Sequence, residues 1–221
     1  MSETRRTVLT LALVGVLATT GCIGFLTGSE SLEFDASEAT VADATVEEQE
    51  YSEVRVEPLN IEREFTAAGQ TRTVNVTNYL AEYSRAAEVP VLGTEQEVAR
   101  FIAFSSPQVS FAGQTLNPID DWSNEELLDR VQNSYSGLQN IERVGNYSVE
   151  SLGEERTVTK FSADASFNGQ EVPVYVHVTK FQHDGDSEDI VAAVGIYPQR
   201  LDEDSPTEQA RIQALIEGLE H

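Results

Sequence analysis

The chain has 221 residues, of which 38 are acidic and 14 basic, for a formal net charge of −24, and it holds one cysteine, Cys22. Such a surface repels a nucleic-acid backbone, and with no cysteine after Cys22 an internal disulfide, a thiolate metal cluster and a cysteine nucleophile are all excluded from the body of the protein. The acids are scattered along the chain, which points to a surface adapted to concentrated salt, where the Debye length falls to about 3 Å at 1 M; a surface built for cations or a basic partner is the competing reading.

Residues 1–21, MSETRRTVLTLALVGVLATTG, have the charged, apolar and small-residue segments of an export signal, and Arg5 and Arg6 form a twin-arginine type address. The apolar run from Val8 to Ala18 is shorter than the ~20 residues that span a bilayer. Thr20-Gly21-Cys22 resembles the end of a prokaryotic lipoprotein signal. That resemblance implies lipid attachment at Cys22; an uncleaved N-terminal helix, with Cys22 a small hydrophobe at its end, is the alternative. Two acyl chains suffice for stable anchoring where one does not. Residues 22–30 read as a tether and 31–221 as a single α+β domain, long enough to bury about 70% of its extended surface.

Leu32 and Phe34 alternate with polar residues as a strand start would, and Val46 to Tyr51 is expected to form a brief helical turn. Ser52 to Phe65 keeps a two-residue period around Pro58, which argues for an edge strand or a bulge. After a turn at Gly69, Thr71 to Tyr83 makes the second strand of a hairpin, with Val74, Val76 and Leu80 on one face and Thr77, Tyr79 and Tyr83 on the other. Val98 to Ser106 fits a strand or a helix end, and Phe111 to Leu116 a turn with a strand edge. Ser123 and Glu126 form a capping box ahead of the stripe Leu127, Leu128, Val131, Tyr135 and Leu138, so a helix runs from there to Gly137.

Val144 to Leu152 and Arg156 to Phe167 read as strands. Asn168-Gly169 is a tight-hairpin signal, and Glu171 to Phe181 returns with Val172, Val174, Val176 and Val178 on one face. Ile190 to Tyr197 is nearly all apolar, as a central strand would be. Ser205, Pro206 and Glu208 open a last helix whose face is Ile212, Leu215, Ile216 and Leu219. The sum is an antiparallel sheet of about six or seven strands, with the helices starting at Asn124 and Thr207 packed on one face.

Few residues carry chemistry. His177 alternates with Tyr175 and Thr179 opposite the valines, so it is expected on the solvated side; His183 borders an acidic loop, and His221 is expected to be frayed. No G-x-S-x-G, H-E-x-x-H or Gly-rich phosphate loop is present. Asp184, Asp186, Glu188 and Asp189 are the best cation candidates, but they lack EF-hand spacing and read first as a solvated loop. Asp120 and Asp121 belong to the turn before the helix. Tyr79 and Tyr83 offer an aromatic ledge or pack under a loop, and Asn75 and Asn146 match the N-glycosylation pattern.

The chain resembles the haloarchaeal lipoproteins grouped as DUF6517. The resemblance rests on the twin-arginine leader with Cys22, VNVTNY at 74–79, SSPQV at 105–109, GQTLNPIDDWSNEEL at 113–127, YSGLQNIERVG at 135–145, VPVYVHVTKFQHDGD at 172–186 and AVGIYP at 193–198. It implies a salt-adapted surface and a lipid anchor at Cys22, and that family has no assigned catalytic residue. The order of elements is also similar to the PsbP/Mog1-like fold, whose members act mostly by binding and assembly; fold alone does not transmit function.

The expectation is therefore a lipoprotein on the extracellular face of the membrane, serving as an accessory or binding domain with an envelope protein as its candidate partner. No cofactor, metal or catalytic residue is expected. The alternative is a ligand-binding protein with an apolar pocket between sheet and helix, lined by Tyr79, Tyr83 or Trp122. An enzyme would need His177 to meet a carboxylate and a hydroxyl in a cleft.

Overall fold

Alternating β-branched and aromatic stretches, broken by short turns, produce a sheet that dominates the chain. The computed structural model describes residues 31–67, 70–89, 94–111, 114–115, 117–134, 137–167, 170–184, 188–202 and 207–221. Arg5, Arg6, Cys22, the tether, Gly69, Tyr135, the Asn168-Gly169 turn, Asp186, Ser205 and Pro206 lie outside these.

In chain order the elements are β1 (Leu32–Asp35), β2 (Thr40–Val41), α1 (Asp43–Glu48), β3 (Ser52–Ala67), β4 (Gln70–Val89), β5 (Thr94–Pro107), β6 (Ser110–Phe111) and β7 (Gln114–Thr115). There follow α2 (Asn124–Ser134), β8 (Leu138–Ser151), β9 (Glu154–Phe167), β10 (Gln170–Asp184), β11 (Glu188–Pro198), a 3-10 turn (Gln199–Asp202), α3 (Thr207–Glu217) and β12 (Leu219–Glu220). The class is mixed α+β. The main sheet has eight strands in the order β1-β4-β5-β11-β10-β9-β8, with β3 also paired to β4. Pro58 lies in β3, which pairs with β4 alone among the described strands, as an edge residue should.

Two compact units divide the chain: residues 1–34 with 60–76, and residues 35–59 with 77–221. In the first, the Asn75 amide donates to Glu33 Oε1 at 2.9 Å. Everything described below lies in the second.

The apolar stretch 190–197 becomes β11, central in the sheet between β5 and β10, with Ile190, Val191, Ala192 and Ala193 buried. Burial on both faces is what a run without polar alternation requires, and each such valine or isoleucine contributes about 1.5–3 kcal/mol. The Ser123–Glu126 capping box forms as read: the Ser123 N–H donates to Glu126 Oε2 at 2.8 Å, and the Glu126 N–H donates to Ser123 Oγ at 3.2 Å. That first hydrogen bond holds the exposed Glu126 carboxyl below its ordinary range.

The helices divide between the two faces of the sheet, where the sequence pattern had suggested one. Leu127 and Leu128 of α2 pack with Phe161, Val174, Val176 and Val178. Ile212, Leu215 and Ile216 of α3 pack with Phe101, Val158, Val191 and Tyr197. β10 and β11 carry buried residues at successive positions, and a strand shows successive side chains to opposite faces, so both faces need a cover. Gly195 lets α3 come close: a Cβ there would sit 2.7 Å from Ile212 Cδ1 and Cγ2.

Candidate functional site

The histidine at mid-strand, a sequence candidate for chemistry, is fully enclosed. His177 is not on a solvated face; it is 0% exposed, because α3 covers that side of β10. Gly195, its register partner in β11, leaves room for the helix. Tyr147 meets His177 Nδ1 at 2.9 Å and Tyr197 meets Nε2 at 3.0 Å. Tyr197 in turn donates to Asp202 Oδ2 at 2.6 Å.

A carboxylate only accepts, so these contacts fix the protons. The Tyr197 hydroxyl hydrogen goes to Asp202, hence Tyr197 Oη accepts from His177 Nε2–H. Nδ1 is then bare and accepts from Tyr147. Such an imidazole is neutral, in keeping with a pKa pushed down from 6.5 to about 3 by burial, with the Lys160 charge adding to the effect. Burial, chiefly, also raises the pKa values of the Tyr147 and Tyr197 phenols.

The chain of bonds continues into α3. Asp202 Oδ1 accepts the Glu208 N–H at 2.9 Å and the Gln209 N–H at 3.3 Å, satisfying donors that every helix start leaves open. Lys160 Nζ donates to Gln209 Oε1 at 2.8 Å and stands 3.7 Å above the Tyr175 ring. Glu208 does not turn back to close a capping box. Its buried carboxylate accepts from Tyr51 at 2.8 Å and from Arg85 through both Nε and Nη2. Every named polar group here has a protein partner, and neither ring nitrogen of His177 is presented to a substrate. The cluster ties five strands to α3.

The other sequence candidates separate. Asp184 and Glu188 face each other across the β10–β11 hairpin and are exposed, whereas Asp189 is buried. Asp189 Oδ2 accepts the Ser37 N–H at 2.7 Å and lies 3.1 Å from His221 Nε2. Of the described acids, Asp189 is thus buried while Asp184 and Glu188 stay exposed. His221 is not frayed: its side chain is buried against Asp189, with the His183 ring 5.1 Å away. Among the described residues no group of three or more His, Cys, Asp or Glu is placed to hold a metal ion. Tyr83 is no ledge; it is a core residue beside Phe101, and its hydroxyl accepts the Val41 N–H at 2.9 Å. Tyr79 is half-buried, opposite Ser105. Asp120 accepts from Gln108 at 3.3 Å and also from Gln182, while its carbonyl accepts from Lys180 at 2.6 Å, a turn role as read. Asn146 is exposed on β8 and accepts from Arg143 at 2.8 Å.

An open site lies on the α2 side of the sheet. A cavity of about 330 Å³ is bounded by Leu128 of α2 and by five strands of the sheet. Its lining includes neither Tyr79, Tyr83 nor Trp122. Trp122 stays half-buried instead, with the Arg130 guanidinium 4.7 Å from its ring. Strand register builds the floor. Arg100 of β5 pairs with Ile196 of β11, which pairs with Val176 of β10; Leu138 of β8 pairs with Ala165 of β9. The lining is predominantly apolar, and its charged members, Glu97 and Arg100, both come from β5. Arg100 donates from Nη2 to Glu97 at 2.6 Å and pairs through Nη1 with Glu82 at 2.8 Å. Glu82 is buried and also accepts from Arg55 Nε at 2.8 Å.

No described helix is long and apolar enough to cross a membrane. The sequence model of the family described as "Domain of unknown function (DUF6517)" matches residues 38–220. Comparison with curated proteins gives no match. Among solved structures, a chain from the crystal structure of the Tle4-Tli4 complex is similar, with 18% identity and a TM-score of 0.31. The likeness covers 66% of this chain and 45% of that one.

Proposed function

We propose a binding function for this chain, which belongs to the DUF6517 family: an accessory domain that takes an apolar ligand in the cavity beneath α2 and performs no catalysis. The observation that carries it is the cavity itself. A void of about 330 Å³ with a mainly apolar lining falls in the size range of small-molecule sites. The site is partly open to solvent, so part of its apolar lining faces water and is removed from it when a ligand binds.

The setting we propose is the extracellular face of a haloarchaeal cell membrane, with Cys22 carrying the lipid and residues 22–30 as tether. The leader with Arg5 and Arg6 and the acidic composition support that setting. The test uses the full chain purified from native membranes and stripped of small molecules. Titration with the environment-sensitive dye N-phenyl-1-naphthylamine is expected to show saturable binding at one site, lost in Val176→Phe, which fills the middle of the cavity. Non-saturating fluorescence, or unchanged binding in Val176→Phe, would refute the reading. Intact mass beside a Cys22→Ser variant checks the anchor: the expected product lacks residues 1–21 and carries a lipid adduct that the variant lacks.

A further inference from the structure

Resting on the reading of the cavity as a binding site, we infer that its ligand is a single-chain amphiphile with a carboxylate head, its chain lying across the strands and its head at Arg100. The breadth of the site is the first ground. Its lining draws on β5, β11, β10, β9 and β8 in spatial order, through Arg100, Ile196, Val176, Ala165 and Leu138. Four inter-strand steps, about 19 Å, separate the outermost of these strands. A lining drawn from five adjacent strands suits an extended chain laid across them.

The distribution of charge is the second ground. Charged lining residues occur at the β5 end, while the β8 end is made by Leu138, Gly137, Ala165 and Ser166. A ligand apolar along its length and polar at one tip matches that asymmetry. Arg100 is the cation there, and its fork of donors suits a carboxylate. One of its partners is replaceable and the other is not. Glu97 and Arg100 form an exposed pair three residues apart, of a kind worth about 0–1 kcal/mol. Glu82 is buried, keeps Arg55 as a second cation, and holds Arg100 at the β5 end of the site through Nη1. An incoming carboxylate exchanges with the Glu97 carboxylate on Nε and Nη2 while Glu82 stays paired. Nothing covalent changes. The overall negative charge opposes an anion at low salt, but in about 1 M salt the field is confined to about 3 Å and the direct contact decides.

The experiment measures binding of dodecanoate and of dodecanol to the full chain in molar salt, by displacement of N-phenyl-1-naphthylamine. Dodecanoate is expected to bind about tenfold more tightly than dodecanol, the worth of one charge-assisted contact. In Arg100→Gln that advantage is lost while dodecanol binding is kept. In Glu97→Gln, which leaves the Glu82 pairs intact, dodecanoate binds more tightly than to the native chain. Equal binding of the two compounds by the native chain, or an advantage that survives Arg100→Gln, would overturn the assignment of the head group. Should Arg100→Gln fail to fold, Glu97→Gln decides: no gain for dodecanoate contradicts the exchange. Failure of both compounds to displace the dye, or displacement unaffected by Val176→Phe, would overturn the cavity reading itself and not merely the head group.

Discussion

The two faces of the sheet solve the same packing problem in opposite ways. On the α3 side the interior holds His177, Asp202, Glu208, Arg85 and Lys160, and these are bonded to one another or to Tyr51, Tyr147, Tyr197 and Gln209. On the α2 side a mainly apolar site of about 330 Å³ stays open, bordered at the β5 end by Arg100 and the buried Glu82. A satisfied polar interior is rigid and specific, because each member left without its partner is costly. A partly open apolar site has no such set of obligatory partners, so it can accept a ligand without breaking any. On the proposed reading the first is scaffold and the second is site, and variants on the two faces should therefore behave differently.

The largest effect is expected at Glu208. Replacing it by Ala leaves Arg85 and Tyr51 buried without their acceptor and should cost about 3–5 kcal/mol, read by urea denaturation. Next comes pH. The folded-state pKa of His177 lies near 3 and the unfolded value near 6.5, so between them the unfolded chain takes up a proton that the folded chain refuses. Stability is therefore whole above pH 6.5 and falls by about 1.4 kcal/mol per pH unit as pH drops toward 3. Lys160 and Asp202 are the charged groups close to this cluster. The comparison is with His177→Gln, whose curve over this range should lack that component; an identical slope would show that His177 is not buried neutral. Gly195→Ala drives a Cβ into Ile212 and should cost about 1–3 kcal/mol, since α3 must move. Val176→Phe, at a lining residue that is itself packed in the core, should cost about 1–3 kcal/mol, less than Glu208→Ala, yet abolish ligand binding. If it proved as costly as Glu208→Ala, the contrast between the faces would fail. Ser123→Ala removes one side-chain cap from α2 and should cost about 1 kcal/mol by thermal melting.

Much of the fold was legible in local pattern. Asn168-Gly169 lies between strands that pair Phe167 with Gln170, the Ser123–Glu126 box formed, and the apolar stretch 190–197 took the middle of the sheet. The errors share a cause. Alternation alone implies burial on one side and water on the other, which would leave the face of Tyr175, His177 and Thr179 in solvent. Polar residues are buried without penalty when partners distant in sequence satisfy them, and His177 finds its partners 30 residues before and 20 after. Glu208 gave a usable signal: it stands four residues before Ile212, in line with the buried stripe of α3. Asp189 gave none, since its pairing with His221 depends on the chain end returning alongside β2. The cavity gave none either, because a void is a property of how side chains fail to fill a space and no single residue announces it.

The most direct measurement is a methyl-resolved NMR titration of the full chain with dodecanoate in molar salt. The account requires the methyl signals of Leu128, Val174, Val176, Val194 and Ile196 to move and saturate together, while those of Ile212, Leu215 and Ile216 stay in place. Signals that move on the α3 face, or no movement beneath α2 at saturating ligand, would contradict it.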